Sequence, residues 1–444
     1  MRLLPFQTQL ASAAIRTYYR LSISGARVPA RGPVLLVANH PNSLLDPAFV
    51  VLAAERPVRF LAKAPLFEHP LTGWLVRGWG SIPVYRRADD PSLMGRNVDA
   101  FQAVRQALAE GWAVGIFPEG MSHHLPSLAP LRTGAARMAL ETAQERGAPF
   151  PVVPVGLTFR GKDRFRSEAL VLVGHPVPWN DLAVPNPPGP GAVQMLTRRL
   201  EKALEELTLN LERWEEAPLL ERAEEIRQLE AGATEVDPER QLRHVQAMSR
   251  SLAPRPATET PDRSEHGRLR RELAHHLRIL DLLGLEPRDL HTVPRTSMVA
   301  RSIAIHTLLF GLVTPIAMVG GLVYGIPYRI AAAVEHRLPL GPHTRATFVV
   351  AGGGAIHLLW TLLLVALIFW FAGWVPAALA APSLPISGLV ALWTHQRWKG
   401  LWADLQRFLL LRRRSDIRSR LLERQGDLGR RLQALKAPPD SPIP

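Results

Sequence analysis

No cysteine occurs in the 444 residues of the chain, so disulfides, thiolate nucleophiles and cysteine metal sites are excluded. There is no Gly-x-Ser-x-Gly stretch, the signature of the serine-hydrolase elbow, and no internal repeat. Residues 1–20 carry apolar side chains at helical spacing (Leu3, Leu4, Phe6, Leu10, Ile15, Tyr18, Tyr19) but no uninterrupted apolar core, so a signal peptide is not expected. An amphipathic helix over 1–29 is expected instead, lying on a bilayer surface or on the folded domain. Charge is missing from two tracts, 302–328 and 346–396, which contain no Asp, Glu, Lys or Arg. A membrane crossing needs about 20 apolar residues. The first tract accommodates one helix and the second two, with Trp370, Trp374, Trp393 and Trp398 suited to the interfaces.

Elsewhere the composition supports a large core, with 47% hydrophobic and 21% charged residues. The formal charge of +14 comes mostly from arginine and suits an anionic membrane surface, nucleic acid or anionic substrates. Between 30 and 178, short apolar runs (33–38, 58–62, 82–85, 113–117, 152–156, 170–174) alternate with helical patterns (44–54, 66–77, 93–110, 131–146). That alternation predicts an α/β domain with a largely parallel sheet and flanking helices, its site at the strand C-terminal ends. A proline-rich break at 179–190 opens a helical connector over 179–300, with a loose linker at 253–265. The membrane region follows over 301–396. The tail, 397–444, has twelve Lys/Arg against five acids, a net +7, in a helical amphipathic pattern that suits anionic headgroups.

The stretch 34–49 organises the rest. An apolar run, Val34 to Ala38, delivers Asn39 and His40 to its end, Pro41 interrupts it, and a helix follows from Leu44. A neutral imidazole takes a proton from a hydroxyl near pH 7, and a carboxylate can fix its tautomer and stabilise the imidazolium. His40 and Asp46 would point to different faces of one ideal helix. Pairing them requires His40 on the turn and Asp46 in the first helical turns.

Four blocks carry a resemblance: Asn39-His40-Pro-Asn-Ser-Leu-Leu-Asp46, Gly80-Ser-Ile-Pro-Val-Tyr-Arg86-Arg87, Phe117-Pro-Glu119-Gly120-Met-Ser122, and Val153-Pro154-Val155-Gly156 preceded by Leu131-Arg132-Thr-Gly134. In order and chemistry they resemble the glycerolipid acyltransferase superfamily. Five residues separate His40 from Asp46 where the family usually has four, a departure from its pattern, while Asn39-His40-Pro-Asn…Asp46-Pro resembles the branch containing fungal-type glycerol-3-phosphate acyltransferases. The resemblance implies His40 as base, Asp46 as its orienting partner, and Arg86 as the acceptor's phosphate ligand, with Arg87 the alternative. It implies Asn39, Glu119 and Gly120 around the acceptor and Pro154 on the acyl-donor side, although Glu119 also reads as a helix-start carboxylate. Adjacent His123 and His124 have no partner cluster that suggests a metal.

The reaction implied is direct acyl transfer to glycerol-3-phosphate or its 1-acyl product. The donor is a coenzyme A or carrier-protein thioester serving as co-substrate, with no cofactor and no nucleic-acid partner. The alternatives are another lysophospholipid as acceptor, or a non-catalytic lipid-binding protein. The implied location is a multi-pass protein of the cell membrane with the catalytic domain and the basic tail both in the cytoplasm. Two complete crossings follow, with 377–396, broken by Pro382 and Pro385, lying at the interface or dipping back.

Overall fold

The computed structural model describes residues 6–68, 70–85, 95, 97–183, 189–232, 237–252, 264–291, 296–338 and 341–435. The strands are β1 (Arg20–Gly25), β2 (Val34–Ala38), β3 (Val58–Lys63), β4 (Ile82–Val84), β5 (Ala113–Ile116), β6 (Val152–Phe159) and β7 (Glu168–Val173). They form one sheet in the order β1-β7-β6-β2-β5-β3-β4, parallel except for the β6–β7 hairpin. Flanking it are α1 (Phe6–Tyr18), α2 (Asp46–Ala54), α3 (Pro65–Glu68), α4 (Pro70–Gly78), α5 (Asn97–Ala109), α6 (Gly134–Arg146) and α7 (Pro190–Leu207).

β2 is buried along its whole length because both sheet faces are covered, which is why it reads as an unbroken apolar run. Its side chains alternate between two cores. Val34, Leu36 and Ala38 face α1 and α2, whereas Leu35 and Val37 face α5, α6 and α7. The N-terminal expectation divides here. Ile15 and Tyr19 of the α1 segment are buried in the first core, so this helix rests on the domain. The expected helix over 1–29 then gives way to β1, an edge strand beside β7. The connector reading of 191–207 also changes, since Val193, Leu196, Leu200 and Leu204 complete the second core. The sheet domain therefore runs from α1 through α7 rather than over 30–178.

Beyond it come α8 (Ala217–Glu230), α9 (Pro238–Leu252), α10 (Glu265–Leu282), α11 (Thr296–Arg337), α12 (Pro342–Thr347), α13 (Gly353–Ala372), α14 (Trp374–Arg413) and α15 (Ser415–Ala434). Among the described residues three helices are long and apolar enough to cross a membrane: α11, α13 with the π-turn before it, and α14. The break expected over 377–396 is not there. Pro382 and Pro385 lie inside one continuous helix, α14, as neighbouring helices permit. α11 packs so closely on it that a Cβ at Gly320 would overlap the Ser387 carbonyl.

The tail differs from expectation too. Leu421, Leu428 and Leu432 of α15 are buried with Leu220 and Ile226 of α8 and Leu273 and Leu277 of α10. The apolar face offered to headgroups is thus occupied by protein. α8 in turn is fastened to the sheet domain by Glu221 and Arg160, 2.9 Å apart.

Candidate active site

β2 ends at Ala38 and places Asn39 and His40 on the C-terminal edge of the sheet. A single 3-10 turn, Ser43–Leu45, with Ser43 in the left-handed region (φ 52), absorbs the five-residue spacing before α2 opens at Asp46. Ser122 Oγ accepts the Ser43 N–H at 3.0 Å and holds that turn. As a result His40 Nδ1 lies 2.8 Å from Asp46 Oδ2, which also accepts the Asn42 N–H at 2.7 Å. Burial pushes the Asp46 carboxyl up from its ordinary range, and the bonds from His40 and Asn42 oppose that shift. The His40 ring stacks on Phe117, centroids 4.1 Å apart, and keeps 20% of its side chain exposed. With Nδ1 engaged, Nε2 is the nitrogen left for a ligand.

His40 lines a cavity of about 680 Å³, within the size range of small-molecule sites. Its walls are mainly apolar (Leu44, Phe60, Leu61, Val76, Trp79, Phe101), and α12 adds Thr344. Lys63, at the end of β3, and Arg132 also line it, and no described carboxylate does. α6 opens onto the cavity through Gly134 and Ala135, so its uncommitted first-turn N–H groups add positive potential. Gly120 has φ +74, and a Cβ there would press on the Arg132 side chain.

Among the residues that the sequence singles out, His40 and Gly120 come together at this cavity, with Asp46 buried behind His40. Arg86 and Arg87 lie outside the described residues. Asn39, Glu119 and Pro154 do not occupy the substrate-facing places expected of them. Both polar atoms of the Asn39 amide bond the Leu157 backbone, at 2.7 and 2.9 Å, clamping β2 to β6. Glu119 is 3% exposed, accepts the His40 N–H at 2.6 Å and the Ala129 N–H at 2.9 Å, and bonds the His123 ring. It begins no helix; it underpins the turn that carries His40. Pro154 is buried within β6, opposite Val37 and against Gly174. Lys63 and Arg132 escaped notice as cavity cations. For Lys63 the available signal was its place at the end of an apolar strand, like His40.

Residues 20–158 match the acyltransferase family. Glycerol-3-phosphate O-acyltransferase 2 of Saccharomyces cerevisiae is 43% identical over 82 residues, covering 18% of this chain and 11% of that protein. A chloroplastic 1-acyl-sn-glycerol-3-phosphate acyltransferase of Brassica napus is 30% identical over 154 residues, covering 34% of this chain and 41% of that one. A lyso-ornithine lipid O-acyltransferase of Pseudomonas aeruginosa is 34% identical over 130 residues, covering 29% and 45%. The chain spans less than half the length of these relatives.

Proposed function

We propose, from the premise that residues 20–158 are an acyltransferase-family domain, that this chain moves an acyl group from a thioester to a glycerol-phosphate acceptor. The acceptor is glycerol-3-phosphate or its 1-acyl derivative. The observation carrying the phosphate is the charge of the cavity: Lys63 and Arg132 beside His40, with no carboxylate among the described lining residues. The apolar wall suits the acyl chain. In the reaction, His40 Nε2 takes the proton of the acceptor hydroxyl as its oxygen attacks the thioester carbonyl carbon. Collapse of the tetrahedral intermediate breaks the carbon–sulfur bond, and the imidazolium returns the proton to the thiolate. Asp46 steadies the imidazolium through Nδ1.

The test is an assay of the purified chain with labelled acyl-CoA and each of three acceptors: glycerol-3-phosphate, lysophosphatidate and a lyso-ornithine lipid. Transfer to a phosphate acceptor is expected, and transfer to the ornithine lipid alone would overturn the phosphate assignment. Arg132→Ala and Lys63→Met should each raise the acceptor KM about tenfold and leave the acyl-donor KM within about twofold. Arg86→Ala is expected to do the same. Arg132→Lys should recover only part, since it keeps the charge and loses the fork. An unchanged acceptor KM in all three neutral variants counts against phosphate recognition at this site.

The catalytic body is proposed to face the cytoplasm, where acyl thioesters are found, and the packing of α15 on α8 supports the tail's lying on the same side. α11 also leaves from that side, next to Leu290 in the α8–α10–α15 core, and reaches α12, whose Arg345 meets Asp163 at 3.5 Å. α13 and α14 are then the pair that goes out and returns, turning at Gly373 between the exposed Phe371 and Trp374. Single cysteines replacing Ser167, Val375 and Ser415, probed with an impermeant maleimide on intact cells, read this directly. Only Val375→Cys should label before the membrane is opened. Labelling of Ser415→Cys from outside would mean an odd number of crossings.

A further inference from the structure

Lys162, in the loop between β6 and β7, is 8% exposed and sits behind the catalytic turn rather than in the cavity. Its Nζ donates to the Pro41 carbonyl at 2.7 Å and lies 3.2 Å from His124 Nδ1. It also rests 5.8 Å from the centre of the Trp214 ring, which stacks on His124. The Lys162 carbonyl accepts from the Tyr19 hydroxyl, which accepts in turn from Asn42 Nδ2 at 3.2 Å. One residue therefore holds the turn between His40 and Asp46 at both Pro41 and Asn42.

Its charge is as well placed as its bonds. The titratable and charged groups around it are Asp46 from α2, Glu119 and His124 from the loop after β5, Tyr19 after α1, and its chain neighbour Asp163, which pairs with Arg345; His123 reaches it only through Glu119. Asp46 and Glu119 are buried, and both act electrostatically on Lys162. Burial lowers the Lys162 ammonium from its ordinary range, and these two carboxylates oppose that. We propose that Lys162 is a positioning residue for the reaction. It clamps the Pro41 carbonyl beneath the catalytic turn and sets one positive charge against the two buried carboxylates that hold His40.

This rests on His40 acting as the base of an acyl transfer, so the test uses one readout that needs turnover and one that does not. Lys162→Met removes donor and charge, Lys162→Gln keeps a donor for Pro41, and Lys162→Arg keeps the charge. A nearby ammonium disfavours the His40 imidazolium; without it His40 holds its proton to higher pH. In the Met and Gln variants the acidic limb of kcat/KM should therefore move to higher pH, the direction that loss of a nearby positive charge requires. kcat should fall about tenfold or more in Lys162→Met, with both KM values within about twofold. Lys162→Arg should leave the limb in place. Carbethoxylation of His40 by diethyl pyrocarbonate across pH, read by mass spectrometry on the full chain, should show the same upward displacement without any turnover. An unmoved His40 profile in Lys162→Gln overturns the proposal, even if Lys162→Met fails to accumulate. A moved profile in a chain that transfers no acyl group would instead sink the acyl-transfer reading and leave the role of Lys162 standing.

Discussion

His40→Ala should lower kcat by about 10²–10⁴-fold, the range that a positioned general base contributes. The substitution costs little packing, because one side of the ring faces the cavity while the rest stacks on Phe117 and bonds Asp46. The variant should therefore accumulate in membranes and bind both substrates. Asp46→Asn is expected to be milder but still severe, about a hundredfold. An asparagine oxygen can accept from His40 and Asn42, but its NH₂ would then occupy the place of Asp46 Oδ1, a buried atom with no protein partner among the described residues. That strands a donor at a cost of about 1–3 kcal/mol and removes the charge that stabilises the imidazolium. Wild-type turnover in His40→Ala would end the base assignment.

Glu119→Gln should also be costly, and the pattern of its kinetics matters more than the size. The carboxylate accepts two backbone N–H groups and meets the His123 ring, all from inside the protein. An amide offers one oxygen in place of two, so either His40 or Ala129 loses its acceptor. A fall in kcat of about 10- to 100-fold is expected, with the KM values for donor and acceptor both close to wild type. A residue holding the acceptor's glycerol would behave differently, raising the acceptor KM alone. Steady-state kinetics with each substrate varied in turn distinguish the two, and a selective rise in acceptor KM would return Glu119 to the substrate.

The sheet was largely legible because buried parallel strands announce themselves as apolar runs, as Val34–Ala38 and Val152–Phe159 do. β1 was not, since Arg20–Gly25 is a half-exposed edge strand directly after a helix and its alternation is weak. The pairing of His40 with Asp46 was legible from chemistry and spacing. The direction in which Asn39, Glu119 and Pro154 point was not, because neighbours in a motif can face opposite sides of one turn. Lys162 lies 121 positions beyond Pro41, so only the folded sheet joins them. The stripe on α15 was visible, but nothing in its own residues named α8 and α10 as the surface that covers it.

That small core has a consequence for the order of events on the ribosome. α8 is finished at Glu230, yet α15 does not begin until Ser415. At about 5–20 residues per second, the intervening chain takes on the order of 10–40 seconds to make. Throughout that time Leu220 and Ile226, joined by Leu273 and Leu277 once α10 has been made, lack the leucines that will cover them, while the long apolar helices α11, α13 and α14 are being synthesised. Closure of this cluster thus waits until the apolar helices have been made.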